Sequence, residues 1–153
     1  MRVEIVSYAA GNCHKYAADI AKRAVNFSVN NHLDSDPEIL YHVIQNGIVS
    51  QNSDMLVLAA IEDDKVVGHL ITRIVQVDGT LFALITQLEI DKEYRDGRIE
   101  TISNGLDIIK QFAASRGAKA VRCWAMNQKL AILFGRLGFV TKPYVMMDLN
   151  LEE

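Results

Sequence analysis

Proline occurs only twice in the chain, at Pro37 and Pro143, and no Pro-, Gly- or Ser-rich stretch interrupts it. No linker, low-complexity segment or internal repeat divides it, so a single domain over residues 1–153 is expected. A domain of that length buries roughly 70% of the surface its unfolded chain exposes and needs neither metal nor disulfide. Cysteine is equally scarce. Cys13 and Cys123 lie far apart, fit no CxxC or other zinc spacing, and read as two reduced thiols. No apolar run is long enough to span a membrane. The opening Met-Arg-Val-Glu-Ile-Val carries charges inside its first apolar run, so no signal peptide is expected and the cytoplasm is the expected compartment. Positive charge is not in excess: 16 Lys and Arg against 19 Asp and Glu leave −3, which argues against a general nucleic-acid binder. His14, His32, His42 and His69 show no metal-ligand spacing and are expected as hydrogen-bonded or surface residues. There is no Walker loop, G-x-S-x-G elbow or dinucleotide fingerprint.

What the chain does have is a change of hydrophobic period. Val3 to Tyr8 alternates as a strand does. Ala17, Ile20, Ala21, Ala24 and Phe27 then recur at helical spacing, with Lys15, Asp19, Lys22, Arg23 and Asn26 mostly off that stripe. Ser35 with Glu38 reads as a capping box, and Pro37 suits a first helical turn, so a second helix should turn Leu40, Val43, Ile44 and Ile48 inward and fray at Ser50 to Ser53. Met55 to Ile61, Val66 to Val77 and Leu81 to Ile90 are apolar and rich in β-branched residues. The turns between them, Glu62-Asp63-Asp64-Lys65 and Asp78-Gly79, make a three-stranded antiparallel meander. A helix from about Arg98 to Arg116 follows, with Ile102, Leu106, Ile109 and Ala113 on one face and Gly117 as its C-cap. Ala120 to Ala125 reads as a strand, Asn127 caps a helix through Leu137, and Phe139 to Tyr144 and Val145 to Leu151 read as two last strands. A final strand pair with an exposed edge permits pairing across a homodimer or in a larger assembly.

The stretch from Leu88 to Thr101 concentrates the chemistry. An apolar strand runs through a Gly-containing turn into a long helix, whose first amides have no intrahelical partner and whose dipole favours an anion. Arg95 and Arg98 add full charges there. A plain surface turn capping a core helix is the other reading of the same residues.

The order β-α-α-β-β-β-α-β-α-β-β, together with Asn127-Gln-Lys-Leu-Ala-Ile-Leu-Phe-Gly-Arg-Leu-Gly-Phe139, resembles the GNAT superfamily of acyl-CoA-dependent N-acyltransferases over nearly the whole chain. Asn127, Leu133, Leu137, Gly138 and Phe139 match that family's C-terminal helix in register. Its pyrophosphate loop has Gln or Arg, two residues, Gly, one residue, then Gly or Ala, usually after Tyr; Tyr94 and Arg95 match, whereas Arg98 and Glu100 stand at the two glycine positions. The resemblance implies an α/β fold with a mixed, mostly antiparallel central sheet and helices on both faces. It also implies acetyl-CoA or another acyl-CoA as donor, and a small-molecule or protein amine as acceptor. Leu88 and Ile90 would pair with the pantetheine arm, which wedges between two strands that splay apart. The backbone from Asp96 through Gly97, Arg98, Ile99 and Glu100 to Thr101, together with Arg95, would hold the diphosphate, and Asn127 and Phe134 would lie by the cofactor.

Acyl transfer to an amine needs the amine neutral, although a free lysine amine has a pKa of about 10.4, so a base is expected. Gln87 and Glu89 share one face at the strand end, and Glu89 is the candidate base. A thiolate leaving group needs little acid help. Phe134 stands where the family has its Tyr acid, and Tyr144 on the next strand is the candidate substitute; packing is the alternative role for both. The segment Asn26 to Ser53 and the loop around Lys142 to Tyr144 are expected to set acceptor specificity. Arg98, Glu100 and Phe134 taken together also allow a second reading, a GNAT-like fold without catalysis serving as a binding or structural component.

Overall fold

Among the described residues, five strands lie across one sheet in chain order: β1 (Arg2–Ile5), β2 (Met55–Glu62), β3 (Lys65–Val77), β4 (Thr80–Ile90) and β5 (Ala120–Cys123). The computed structural model describes residues 1–50, 54–125, 127–143 and 145–151. β1 to β4 are antiparallel neighbours, and β5 joins β4 in parallel. The β2–β3 turn carries Asp63 and Asp64 at φ 50° and 61°, and the β3–β4 turn Asp78 and Gly79 at 49° and 80°. Two positive φ values in succession give a turn whose twist matches that of the flanking strands, and Asp and Gly tolerate that region best.

Helices cover both faces of the sheet, α1 (Cys13–Asn30) and α2 (Pro37–Val49) on one, α3 (Arg98–Ser115) and α4 (Gln128–Arg136) on the other. β2 shows why both faces must be covered. Val57, Ala59 and Ile61 pack with Ile20, Ala24, Ile44 and Ile48 on the α1 side, while Leu56 and Leu58 pack with Ile102, Leu106, Ile109 and Leu133 on the α3 side. A strand buried on both faces reads as a continuous apolar run, which is how Met55 to Ile61 looks in the sequence.

Two expectations are corrected. The cap of α2 is Asp36 rather than Ser35: its carboxylate accepts from the amides of Glu38 at 3.0 Å and Ile39 at 3.1 Å. Pro37 takes the first helical position, which leaves the residue just before it as the cap. Among the described residues the two last strands do not form either. Among the described residues no ladder follows α4, and Val145, Met147, Leu149 and Leu151 are exposed. Alternation supplies a strand's face but not its partner, and a strand pair outside a sheet is marginal. Among the described residues the outer edge of β5 carries no such partner.

Candidate functional site

Among the described residues, β4 and β5 part at one side of the sheet. Their ladder runs from Phe82 opposite Ala120 to Ile85 opposite Cys123 and stops. β4 continues to Ile90 with β3 on its other side. The register between β3 and β4 slips at this point, Ile71 facing Gln87 and Thr72 facing Ile85, so Thr86 is an extra residue on β4. Such a bulge bends and twists its strand, which turns Thr86 to Ile90 away from β5. Among the described residues, alternate backbone groups of this segment therefore face a gap rather than a neighbour. Leu88 and Ile90 turn their side chains to the α3 core, leaving their backbone at the gap's wall.

The strand then leads through a single 3₁₀ turn, Lys92–Tyr94, into α3. Gly97 occupies the cap at φ 79°, and nothing lies within 4 Å of where a Cβ would stand, so its freedom serves the backbone turn alone. Among the described residues no side chain caps the helix. The Arg98 amide bonds Arg95 O at 3.2 Å and the Thr101 amide bonds Gly97 O at 3.2 Å. Among the described residues the amides of Ile99 and Glu100 meet no acceptor. The Glu100 side chain is exposed in the first turn and makes no cap bond, and Arg95 is exposed and Arg98 half-buried nearby in the chain, none of the three in an ion pair among the described residues. Unpaired amides, the positive end of an 18-residue helix and two guanidinium groups together make a cradle for an anion.

On the opposite face of β4, Gln87 and Glu89 do share one side, and α1 packs against it. The Gln87 amide nitrogen donates to Ala24 O at 3.1 Å, so its oxygen accepts from His69 Nε2–H at 2.8 Å. That bond fixes the His69 tautomer and leaves its buried Nδ1 without a partner. Burial pushes the His69 pKa down to about 4, so the ring is neutral. Arg23 reaches from α1 to Asp91 at 2.8 Å and to Glu89 at 3.4 Å. Its side chain is only 15% exposed, although its place in the sequence is off the helix's apolar stripe. No motif marks it; its site depends on how α1 crosses β4, a long-range relation that local spacing does not encode.

The remaining candidates divide. Asn127 caps α4, its Oδ1 accepting from the Leu130 amide at 2.9 Å, which orients the helix and leaves the residue exposed near the end of β5. Phe134 is buried, with its ring 5.0 Å from that of Phe139. Tyr144 lies outside the described residues. Cys123 closes the ladder at the floor of the gap, and burial pushes its thiol up to about 11. Sequence reasoning gave Cys123 no role beyond that of a reduced thiol, and both cysteines are free. A groove between α1 and α2, lined by Lys22, Val25, Asn26, Pro37, Glu38 and Tyr41, falls largely in the segment expected to face an acceptor. Among the described residues no His, Cys, Asp and Glu side chains gather as a metal site, and no helix is long and apolar enough to cross a membrane.

No family model matches the sequence, and no curated protein matches it. Solved structures do match in shape. A probable acetyltransferase superposes with a TM-score of 0.73 over 100% of this chain and 99% of its own, at 15% identity. A predicted acetyltransferase with acetyl-CoA from Clostridium acetobutylicum gives 0.70 over 98% and 96%, also at 15% identity. An aminoglycoside acetyltransferase from an uncultured soil metagenomic sample, in complex with sisomicin, gives 0.67 over 99% and 96% at 18% identity.

Proposed function

Because the chain has the fold of the GNAT acyltransferases, we propose that it moves an acetyl or other acyl group from acyl-CoA to a primary amine. The observation that carries this reading is the parting of β4 from β5 beyond Ile85 and Cys123, in line with an uncapped α3 N-terminus. A phosphorylated, extended donor needs both features: a slot with free backbone groups along one wall, and unpaired amides where the slot ends. The neighbours that carry acetyl-CoA or sisomicin favour a thioester donor and a small-molecule amine acceptor.

In this reading the bound acyl-CoA supplies an activated thioester carbonyl. The amides of Ile99 and Glu100, with Arg95 and Arg98, hold its diphosphate; Asp96 and Thr101 flank them. The wall from Leu88 to Ile90 aligns the pantetheine arm, and Asn127 and Phe134 bound the slot on the α4 side. Glu89, on the acceptor face of the same strand, takes the proton of the incoming ammonium and so leaves a neutral nucleophile. Arg23 keeps that carboxylate in place from α1. The thiolate, from a thiol of pKa near 8.5, leaves without strong acid help, so Phe134 in place of a hydroxyl is compatible with turnover, and Tyr144 is the proposed source of any acid assistance. Positioning supplies most of the acceleration.

The test is direct. Acetyl-CoA at about a hundred times its dissociation constant should stabilise the fold by about 2.7 kcal/mol, and Arg98→Ala should weaken that binding while leaving the unliganded melting temperature unchanged. Thiol release with a panel of amines then separates a catalyst from a binder. No thermal shift at millimolar acetyl-CoA would retire the reading, and a Glu89→Gln variant with full activity at neutral pH would remove the proposed base.

A further inference from the structure

The closed end of the gap carries two arginines at one level of the sheet. Arg73 on β3 faces Leu84 on β4, and Leu84 in turn faces Arg122 on β5. All three lie within paired strands, so alternation fixes their face. Ile71 packs in the core under α1, whereas Val121 and Cys123 pack in the core under α3, which puts Arg73 and Arg122 together on the α1 side of the sheet. The contact of Arg122 agrees: its guanidinium carbon lies 3.9 Å from the centre of the ring of Phe82, which shares a face of β4 with Leu84. With one strand between them the two arginines are rooted about 10 Å apart, so side chains of that length can close on one small anion over Leu84.

Neither cation has a counter-charge. Both residues are half-buried, and among the described residues neither makes an ion pair. Asp54 comes near Arg73 through its backbone, its oxygen accepting from the Ile74 amide at 2.8 Å, yet its carboxylate forms no ion pair there. Burial alone pushes the Arg73 pKa down. A half-buried guanidinium without a partner costs stability, and an anion removes that cost. Lying over the Phe82 ring holds the Arg122 head in place while leaving most of its N–H donors free.

We infer that Arg73 and Arg122 form an anion subsite at the closed end of the gap, taking a carboxylate carried by one of the two substrates. The planar fork of a guanidinium matches a carboxylate, and two of them leave it fully paired. This rests on the acyltransferase reading and deepens it. A donor with its diphosphate at the α3 cap and its arm along Leu88 to Ile90 brings its thioester towards the last paired level, Ile85 with Cys123, one residue from this subsite. The carboxylate there belongs either to the acyl group or to the amine.

Succinate probes the subsite by itself. At equal ionic strength it should raise the melting temperature of the whole protein saturably, and succinamide should not. Arg73→Gln and Arg122→Gln should each weaken the response and together abolish it. Because an unpaired Arg73 does not support the fold, Arg73→Gln should melt no lower than the native protein. Two comparisons locate the source. If the acyl group carries the carboxylate, succinyl-CoA should bind about tenfold more tightly than acetyl-CoA by calorimetry. If the acceptor carries it, KM should be about tenfold lower for an ω-amino acid than for the n-alkylamine of equal length. Either preference should vanish in the double variant. No succinate response, neither preference, or a preference that survives the double variant overturns the inference. Stabilisation by acetyl-CoA with no succinate response rejects the subsite and leaves the acyltransferase reading standing. A succinate response with no acetyl-CoA stabilisation keeps the anion site and retires that reading.

Discussion

Ile85 on β4 faces Cys123 on β5 as the last pair of their parallel ladder. Everything assigned to the donor lies beyond that pair, so the Cys123 sulfur marks the floor of the gap. Burial holds this thiol up at about 11, which keeps the nucleophilic thiolate scarce at neutral pH. Alkylation of Cys123 by iodoacetamide, followed by peptide mass spectrometry in a Cys13→Ser background, should be slow at neutral pH. It should accelerate about tenfold per pH unit until the pH nears the thiol's own value. Protein carrying the adduct should lose its thermal shift with acetyl-CoA; a shift that survives would mean that the donor does not use the gap.

Glu100 stands in the first turn of α3, exposed, where the resemblance has a glycine. A carboxylate there favours the helix by its interaction with the dipole, yet opposes a diphosphate docked on the same amides. Glu100→Gln removes both effects. The unliganded melting temperature should fall by about 2 °C, while acetyl-CoA should bind about threefold more tightly by calorimetry. Weaker binding in this variant would show that the side chain belongs to the site rather than standing against it.

Two glycines on the α3 side of the sheet should respond in opposite directions to the same methyl group. A Cβ on Gly68 in β3 would lie 2.7 Å from Glu89 O and 3.2 Å from the Ala60 Cβ, and a backbone oxygen cannot swing aside. Gly68→Ala should cost about 1–3 kcal/mol and disturb the strand that carries the candidate base. A Cβ on Gly105 within α3 would meet only Leu58 Cδ1, at 3.6 Å, an ordinary contact. Gly105→Ala should therefore stabilise the protein by about 1 kcal/mol, the helix-propensity difference. Urea unfolding of the two variants checks both signs.

These residues also show what a sequence can carry. The Asp78-Gly79 turn, the Asn127 cap and the covered strand β2 were legible because each is decided within a few residues, by backbone conformation or by side-chain period. The β4–α3 junction was legible for the same reason, a change of period across Gly97. Arg23 was not: its partners Glu89 and Asp91 lie 66 and 68 positions away, and its burial follows from the crossing of α1 over β4. The bulge at Thr86, which opens the gap, is likewise a property of two paired strands rather than of one. The unformed last strands err in the other direction, because Val145, Met147, Leu149 and Leu151 have a strand's alternation and, among the described residues, no ladder to join.

His69 provides the pH test. Its ring is buried between β3 and α1, edge-on to Phe27 with centroids 5.9 Å apart, and donates to Gln87. Desolvation is the main cause of its depressed pKa, and the positive charge of Arg23 adds to it, whereas Gln87 and Asp91 pull the other way. A histidine that is harder to protonate in the folded than in the unfolded state makes unfolding take up a proton. Its contribution is complete above the unfolded value of 6.5 and is lost as the pH falls towards about 4. The full span corresponds to about 3 kcal/mol, of which about 1 kcal/mol should be gone by roughly pH 5.5, before most carboxylates begin to titrate. Urea midpoints between about pH 7.5 and pH 5.5 should therefore drop in the native sequence and stay nearly level in His69→Gln, which keeps a donor for the Gln87 oxygen but cannot titrate. Equal slopes in the two proteins would place the acid-sensitive group elsewhere. Because Gln87 ties this ring to α1 on the strand that carries Glu89, acid should loosen the acceptor face first, seen as a rise in KM for amine ahead of any loss of acetyl-CoA binding.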